Sequence, residues 1–237
     1  MRTLYPIKSM FALALVYCLS TLTLYAQPSK NFSVNNFSEI TVASGIDLYL
    51  TQNGAEAVKV IAHEDLLKNV IVEKNGNALT IRYKDNSGWG RFFKGQSIKA
   101  YVNFKTLTAL TASGGSDVFS QVPIKTDRLN VRASGGSDLK LDLTARDFQL
   151  QASGGSDVSL KGSATNMEIQ SSGGSDIKAY EFKVENAKVS SSGGSDANVY
   201  VTRALEASAS GGSDIHYKGD AALKNNSSKS GDVTKVN

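Results

Sequence analysis

Cysteine is nearly absent: Cys18 is the only one in 237 residues. It lies in a stretch expected to be cleaved, so the mature chain should hold no disulfide, thiolate metal site or catalytic thiol. Histidine is almost as scarce. His63 and His216 sit in no HExxH, and no nucleophile elbow supports a Ser-His-Asp order. P-loop and Rossmann glycine patterns are missing too. Proline occurs three times, and no segment shows a sustained helical period. The formal charge is +4, with no run of five or more basic residues. Nucleic-acid binding, which needs a clustered basic stripe, is therefore not expected.

A long apolar run is also missing. Met10 to Tyr25 is mostly apolar, shorter than the roughly 20 residues of a membrane span. Arg2 and Lys8 precede it, and Ala26 before Gln27 offers a cleavage point. Residues 1–26 thus read as a secretory signal, leaving an exported chain with no span. A retained membrane anchor and a lipid on Cys18 are the alternatives. Tyr17 argues against the lipid, because small residues are usual before a lipidated cysteine.

What the chain has instead is glycine in a fixed phrase. Ser-Gly-Gly-Ser-Asp starts at Ser113, Ser134, Ser153, Ser172, Ser192 and Ser210, at intervals of 21, 19, 19, 20 and 18 residues. A worn copy, Ser230-Gly231-Asp232, follows, and an echo, Ser44-Gly45-Ile46-Asp47, lies far upstream. A constant period near twenty residues marks a stacked repeat. Apolar residues alternate on both sides of each phrase: Phe148, Leu150 and Ala152 before Ser153, then Val158 and Leu160 after Asp157. A less regular inward stretch, such as Val122 and Ile124 or Phe182 and Val184, completes the repeat.

Each repeat is thus two short strands joined at a corner, and neither strand can bury its apolar face alone. Stacking one coil on the next buries them, with equivalent strands parallel and about 4.8 Å apart. The coil is too short for a helical crossover. The fold expected is all-β: a right-handed parallel β-helix, one domain over 37–237 after a loose polar leader at 27–36. Residues 107–237 hold the repeats. Residues 37–106 carry irregular strands with Asn-Gly punctuation, as at Asn75-Gly76, and one helical turn near His63-Glu64-Asp65. This part is expected to cover the front end or to add atypical coils.

At the corner, glycine permits backbone angles closed to other residues. By alternation the serine before the aspartate turns inward or sits in the bend, and the first serine and the aspartate face out. Asp117, Asp138, Asp157, Asp176, Asp196 and Asp214 therefore form an external column. Neighbouring charges at that spacing repel by about 1 kcal/mol in water and about 3.5 at an effective dielectric of 20. The carboxylates must then be exposed and bonded to amides, or have cations between them. Calcium would suit such an all-oxygen site, although the chain has neither the nine-residue period nor the Gly-Gly-x-Gly-x-Asp unit of the calcium-binding roll. Lys and Arg do not recur at one aligned position beside the column, as a lyase would need: Arg132, Lys140 and Lys161 fall in different slots. Residues 85–96 break the strand pattern and hold Trp89, Arg91, Phe92 and Phe93. This loop is either a flap over an end of the core or a partner-binding surface.

Three N-terminal phrases precede the serial Ser-Gly-Gly-Ser-Asp: Phe37-Ser-Glu-Ile-Thr-Val, Gly45-Ile-Asp-Leu-Tyr-Leu-Thr-Gln-Asn-Gly and Asn75-Gly-Asn-Ala-Leu-Thr-Ile. Together they resemble the head GIN domain of putative auto-transporter adhesins, a family of Bacteroidetes-type secreted proteins, over roughly residues 35 to 220. The resemblance implies a right-handed β-helix with a surface or periplasmic role, and it carries no catalytic residues. No translocator barrel follows within the 237 residues, so a complete auto-transporter is not expected. The reading is an exported, non-enzymatic binding protein for a surface glycan or protein, needing no cofactor. Its rival is a carbohydrate-active enzyme, a lyase or hydrolase, on the same fold.

Overall fold

The computed structural model describes residues 27–84 and 97–236. Their strands join in one seventeen-stranded sheet that coils on itself as a β-solenoid of about seven turns, each of about 19 residues. In chain order the early strands are β1 (Ser29–Phe32), β2 (Glu39–Val42), β3 (Ile46–Gln52), β4 (Ala57–Ile61), β5 (Val70–Asn75), β6 (Ala78–Tyr83), β7 (Ile98–Phe104), β8 (Ala109–Ala112) and β9 (Val118–Ser120). The repeats supply β10 (Ile124–Ser134), β11 (Asp138–Ser153), β12 (Asp157–Ser172), β13 (Asp176–Ser192) and β14 (Asp196–Ala209). The last are β15 (Asp214–Lys218), β16 (Ala222–Asn225) and β17 (Asp232–Lys235). One helical turn, α1 (Glu64–Leu67), is capped by His63, whose Nδ1 accepts from the Asp65 amide.

Equivalent positions of the repeats lie side by side: Asp138 opposite Asp157, Asp157 opposite Asp176, Asp176 opposite Asp196. Alternation along each long strand sends Val158, Leu160, Met167 and Ile169 into the core and their neighbours outward. Phe148 and Phe182 meet edge to face inside, with ring centroids 5.4 Å apart.

The early part of the chain is interleaved. The β2–β3 coil does not start the stack. It lies between the β6–β7 coil and the β8–β9 coil, parallel to both. Beyond β7 the sheet turns antiparallel through β4 and then β1, and β5 closes the other side antiparallel to β6. Antiparallel strands thus end the stack at this side. The polar stretch 27–36, expected to be a loose leader, holds β1. Its Ser29–Phe32 backbone finds partners on the free edge of β4, and an unpaired edge is what such a strand satisfies. Glu56, its side chain largely covered, fixes the next residues by accepting from the Asn36 and Phe37 amides. These amide bonds, the Asn36 one foremost, hold its carboxyl below the usual range.

The corner is made by the paired glycines. All twelve in the six phrases have φ between +61° and +74°. In the first five phrases the second glycine N–H donates to the first glycine carbonyl of the next coil, as Gly155 does to Gly173 at 3.1 Å. Gly45 joins the series through Gly114, and Gly212 through Ser230. Beneath the bend the second serine of every phrase is fully buried. Ser175 Oγ donates to the Ser172 carbonyl and accepts from the Ser156 amide. The inward hydroxyl therefore has its partners, as a buried polar group must.

A second corner carries a ladder not seen in the sequence. Arg203 donates to Asn186, Asn186 to Asn166, and Asn166 to Asp147, over 2.9–3.1 Å. Arg128 and Arg146 close it on Asp147. The Asn166 bond, with the two guanidiniums behind it, holds the Asp147 carboxyl below its ordinary range.

The two glycines of a phrase differ in one testable way. A Cβ on Gly173 would lie 3.2 Å from the Gly154 nitrogen, whereas one on Gly174 would meet nothing within 4 Å. Each alanine incurs the left-handed backbone cost of about 1–2 kcal/mol, and only Gly173→Ala also crowds the coil below. Thermal unfolding followed by circular dichroism should rank wild type above G174A and G174A above G173A. The reverse order of the two variants would contradict the stacking geometry.

Candidate functional site

The corner separates two outer faces, each built of registered columns. On the face after the corner, the six predicted aspartates do form one row, and the structure lengthens it. Asp47 aligns beside Asp117, and Asp232 beside Asp214. Lys99 stands opposite Asp47 at the near end. The Ser44-Gly45-Ile46-Asp47 echo was the signal for the extra rung, and strand pairing supplies its position.

These carboxylates stand at the surface, from half-buried to exposed. Asp196 Oδ1 accepts from the Asp214 amide at 3.1 Å, and Lys178 Nζ lies 3.7 Å from Asp157. Among the described residues no group of three or more His, Cys, Asp or Glu side chains is placed to hold a metal ion. Burial first, and then the Asp117 charge, push the Asp47 carboxyl up; burial and the Asp138 charge do the same to Asp117.

Two places along, a second column contains Tyr101, Tyr49, Phe119, Lys140, Ser159 and Lys178. Arg132, Lys140 and Lys161 do fall in different columns, but Lys140 and Lys178 share an aligned position beside the aspartates, contrary to the expectation that no cation recurs there. Both follow their aspartate by two residues, with Ser159 between them. The rings stack face to face, Tyr49 on Tyr101 at 4.9 Å and on Phe119 at 5.3 Å. Lys140 Nζ sits 5.8 Å from the Phe119 centroid.

The face before the corner is different. Its outward side chains are mainly amides and hydroxyls, with a few charges. Two hollows, of about 520 and 200 Å³, share Gln151, Glu168 and Gln170 and so form one trough. Arg132, Gln151, Gln170, Ser190 and Ser208 run along it from β10 to β14, a length of about 19 Å at sheet spacing. Arg132 donates to Gln151, and Gln149 and Gln170 both donate to Glu168. Asn130 Oδ1, at one end, is buried and has no hydrogen-bond partner among the described residues. Sequence reading missed this face because its residues share polarity without sharing a motif. The loop residues Trp89, Arg91, Phe92 and Phe93, in the segment joining β6 to β7, lie outside the described residues.

Residues 36–221 match the family of the putative auto-transporter adhesin, head GIN domain. The chain belongs to this family. Solved structures share the head GIN fold. A putative adhesin from Bacteroides fragilis is 23% identical, with a TM-score of 0.81 over 90% of this chain and 98% of that one. One from Parabacteroides distasonis is also 23% identical, at 0.71 over 89% and 97%. A putative lipid binding protein from the same species is 20% identical, at 0.67 over 90% and 98%. No curated protein matches the chain. Among the described residues no helix is long and apolar enough to cross a membrane. Family membership supports an adhesin-like protein that is exported or at the cell surface.

The aspartate row of this head GIN domain makes a pH prediction. A carboxyl whose folded pKa is raised favours the folded state fully below about pH 3.9, its unfolded value, and loses that contribution as pH rises through the folded value. Asp117→Asn removes the ionised form and can still accept an amide bond. D117N should melt above wild type at pH 7, and the gap should close toward pH 4. A lower melting point for D117N at pH 7 would contradict this. Stabilisation of wild type by millimolar calcium, absent in D117N, would assign the row to a cation instead.

Proposed function

We propose that this protein is an exported, non-enzymatic adhesin-like solenoid that holds a surface glycan along the trough. The observation that carries the reading is the trough itself. Five successive coils present guanidinium, amide and hydroxyl groups at one register, and the Lys188 ammonium lines the trough two places before it. Such donors and acceptors suit the hydroxyls of a saccharide chain lying across the strands. Solenoid faces commonly serve as extended binding surfaces, and the family supports an adhesive role.

The hydrolase alternative needs paired carboxylates across a substrate. Among the described residues the trough is lined by one, Glu168, already engaged by two glutamine amides. The aspartate row lies on the other side of the corner and lines neither hollow of the trough. A binding role therefore accounts for the polar face better than turnover does.

A glycan array probed with the purified chain, followed by titration of the best binder, tests this. Gln151→Ala with Gln170→Ala should weaken binding by about tenfold, since each hydrogen bond is worth about 0.5–1.5 kcal/mol, with the melting point unchanged. Shortening of the glycan on incubation, abolished by an aspartate variant, would overturn the reading.

A further inference from the structure

The aromatic ladder ends differently at its two sides. At Phe119 the outer side is taken by Lys140. At Tyr101 the inner face is covered by Tyr49, and among the described residues no ring or cation stacks on the other face. A cavity of about 410 Å³ adjoins Tyr101 there. Asn31, Ala57, Lys59, Ile61, Tyr101 and Asn103 line it.

Its shape follows from the antiparallel registers. Lys59 lies opposite both Asn31 and Tyr101, and Ala57 lies opposite Asn103. The short Ala57 side chain leaves room between the longer ones. Tyr101 cannot easily swing away, since its neighbour in the stack is itself stacked on Phe119. The site thus pairs a preorganised ring and aliphatic carbons with two amides and an ammonium. Lys59 is exposed and enters no ion pair among the described residues.

We propose that this cavity is a second binding site, for a single acidic sugar ring: a pyranose bearing a carboxylate. The C–H face of such a ring packs on an aromatic face, its hydroxyls reach Asn31 and Asn103, and its carboxylate meets Lys59. A neutral sugar leaves the ammonium unused, and an alkyl chain leaves both amides unpaired. The site shares no residue with the trough, so either stands if the other fails.

Saturation-transfer NMR and titration with glucuronate, glucose and octanoate test the proposal. Glucuronate should bind about two- to fivefold more tightly than glucose, the range of an exposed ion pair. Lys59→Gln should erase that difference and leave the weaker binding in place. Tyr101→Ala should weaken both sugars by about two- to tenfold, as loss of one aromatic contact does. Gln170→Ala, in the trough, should change nothing. Lys59 is on the surface, so K59Q remains informative even if Y101A unfolds. Equal binding of glucose and glucuronate, tighter binding of octanoate than of either sugar, or no binding of glucuronate would each overturn the proposal.

Discussion

Everything in this solenoid depends on how closely one coil can approach the next at its corner. A strand pair needs its backbones about 4.8 Å apart, and at that spacing a Cβ on the first glycine of a phrase, as at Gly173, crowds the backbone of the coil before it. The paired glycines meet the demand by taking positive φ and by passing a hydrogen bond from each coil to the next. The buried serine beneath them satisfies the polar groups that a tight bend would otherwise strand in the core. With the corner fixed, strand register is fixed, and register lines up outward residues into columns.

The two faces follow from that alignment. One collects like charge, because the phrase ends in aspartate and every coil repeats it. Its repulsion is tolerable because the row is at the surface and partly met by amides and by Lys178. The other face has no repeated motif, and its side chains are free to vary from coil to coil. A repeated column suits structure; a varied one suits recognition, where each coil can offer a different donor or acceptor. The family's adhesin label and the polar trough point the same way.

Much of the repeat region was legible in the sequence. Period, alternation, the inward serine and the outward aspartate are all local properties, and they hold in the structure. The N-terminal part was legible as strands and not as an arrangement. Glu39–Gln52 precedes every other parallel coil in the chain yet lies inside the stack, because parallel pairing joins residues about seventy positions apart. No local signal reports such a distance, although the Ser44-Gly45-Ile46-Asp47 echo hinted at it. Polar composition at 27–36 suggested looseness, but a free edge on β4 outweighs composition. The asparagine ladder and the trough were invisible for the same reason: Asn166, Asn186, Gln151 and Gln170 become neighbours only once the coils are in register.

The most direct test of the corner is native-state hydrogen exchange at the glycine amides. In an open loop the Gly136, Gly155, Gly174 and Gly194 amides would exchange about as fast as in unfolded chain. Bonded between coils, they should be protected to a degree comparable with the amides of the flanking strands, because they open only when the stack opens. Loop-like exchange at these four amides beside protected strands would show that the coils do not meet at the corner.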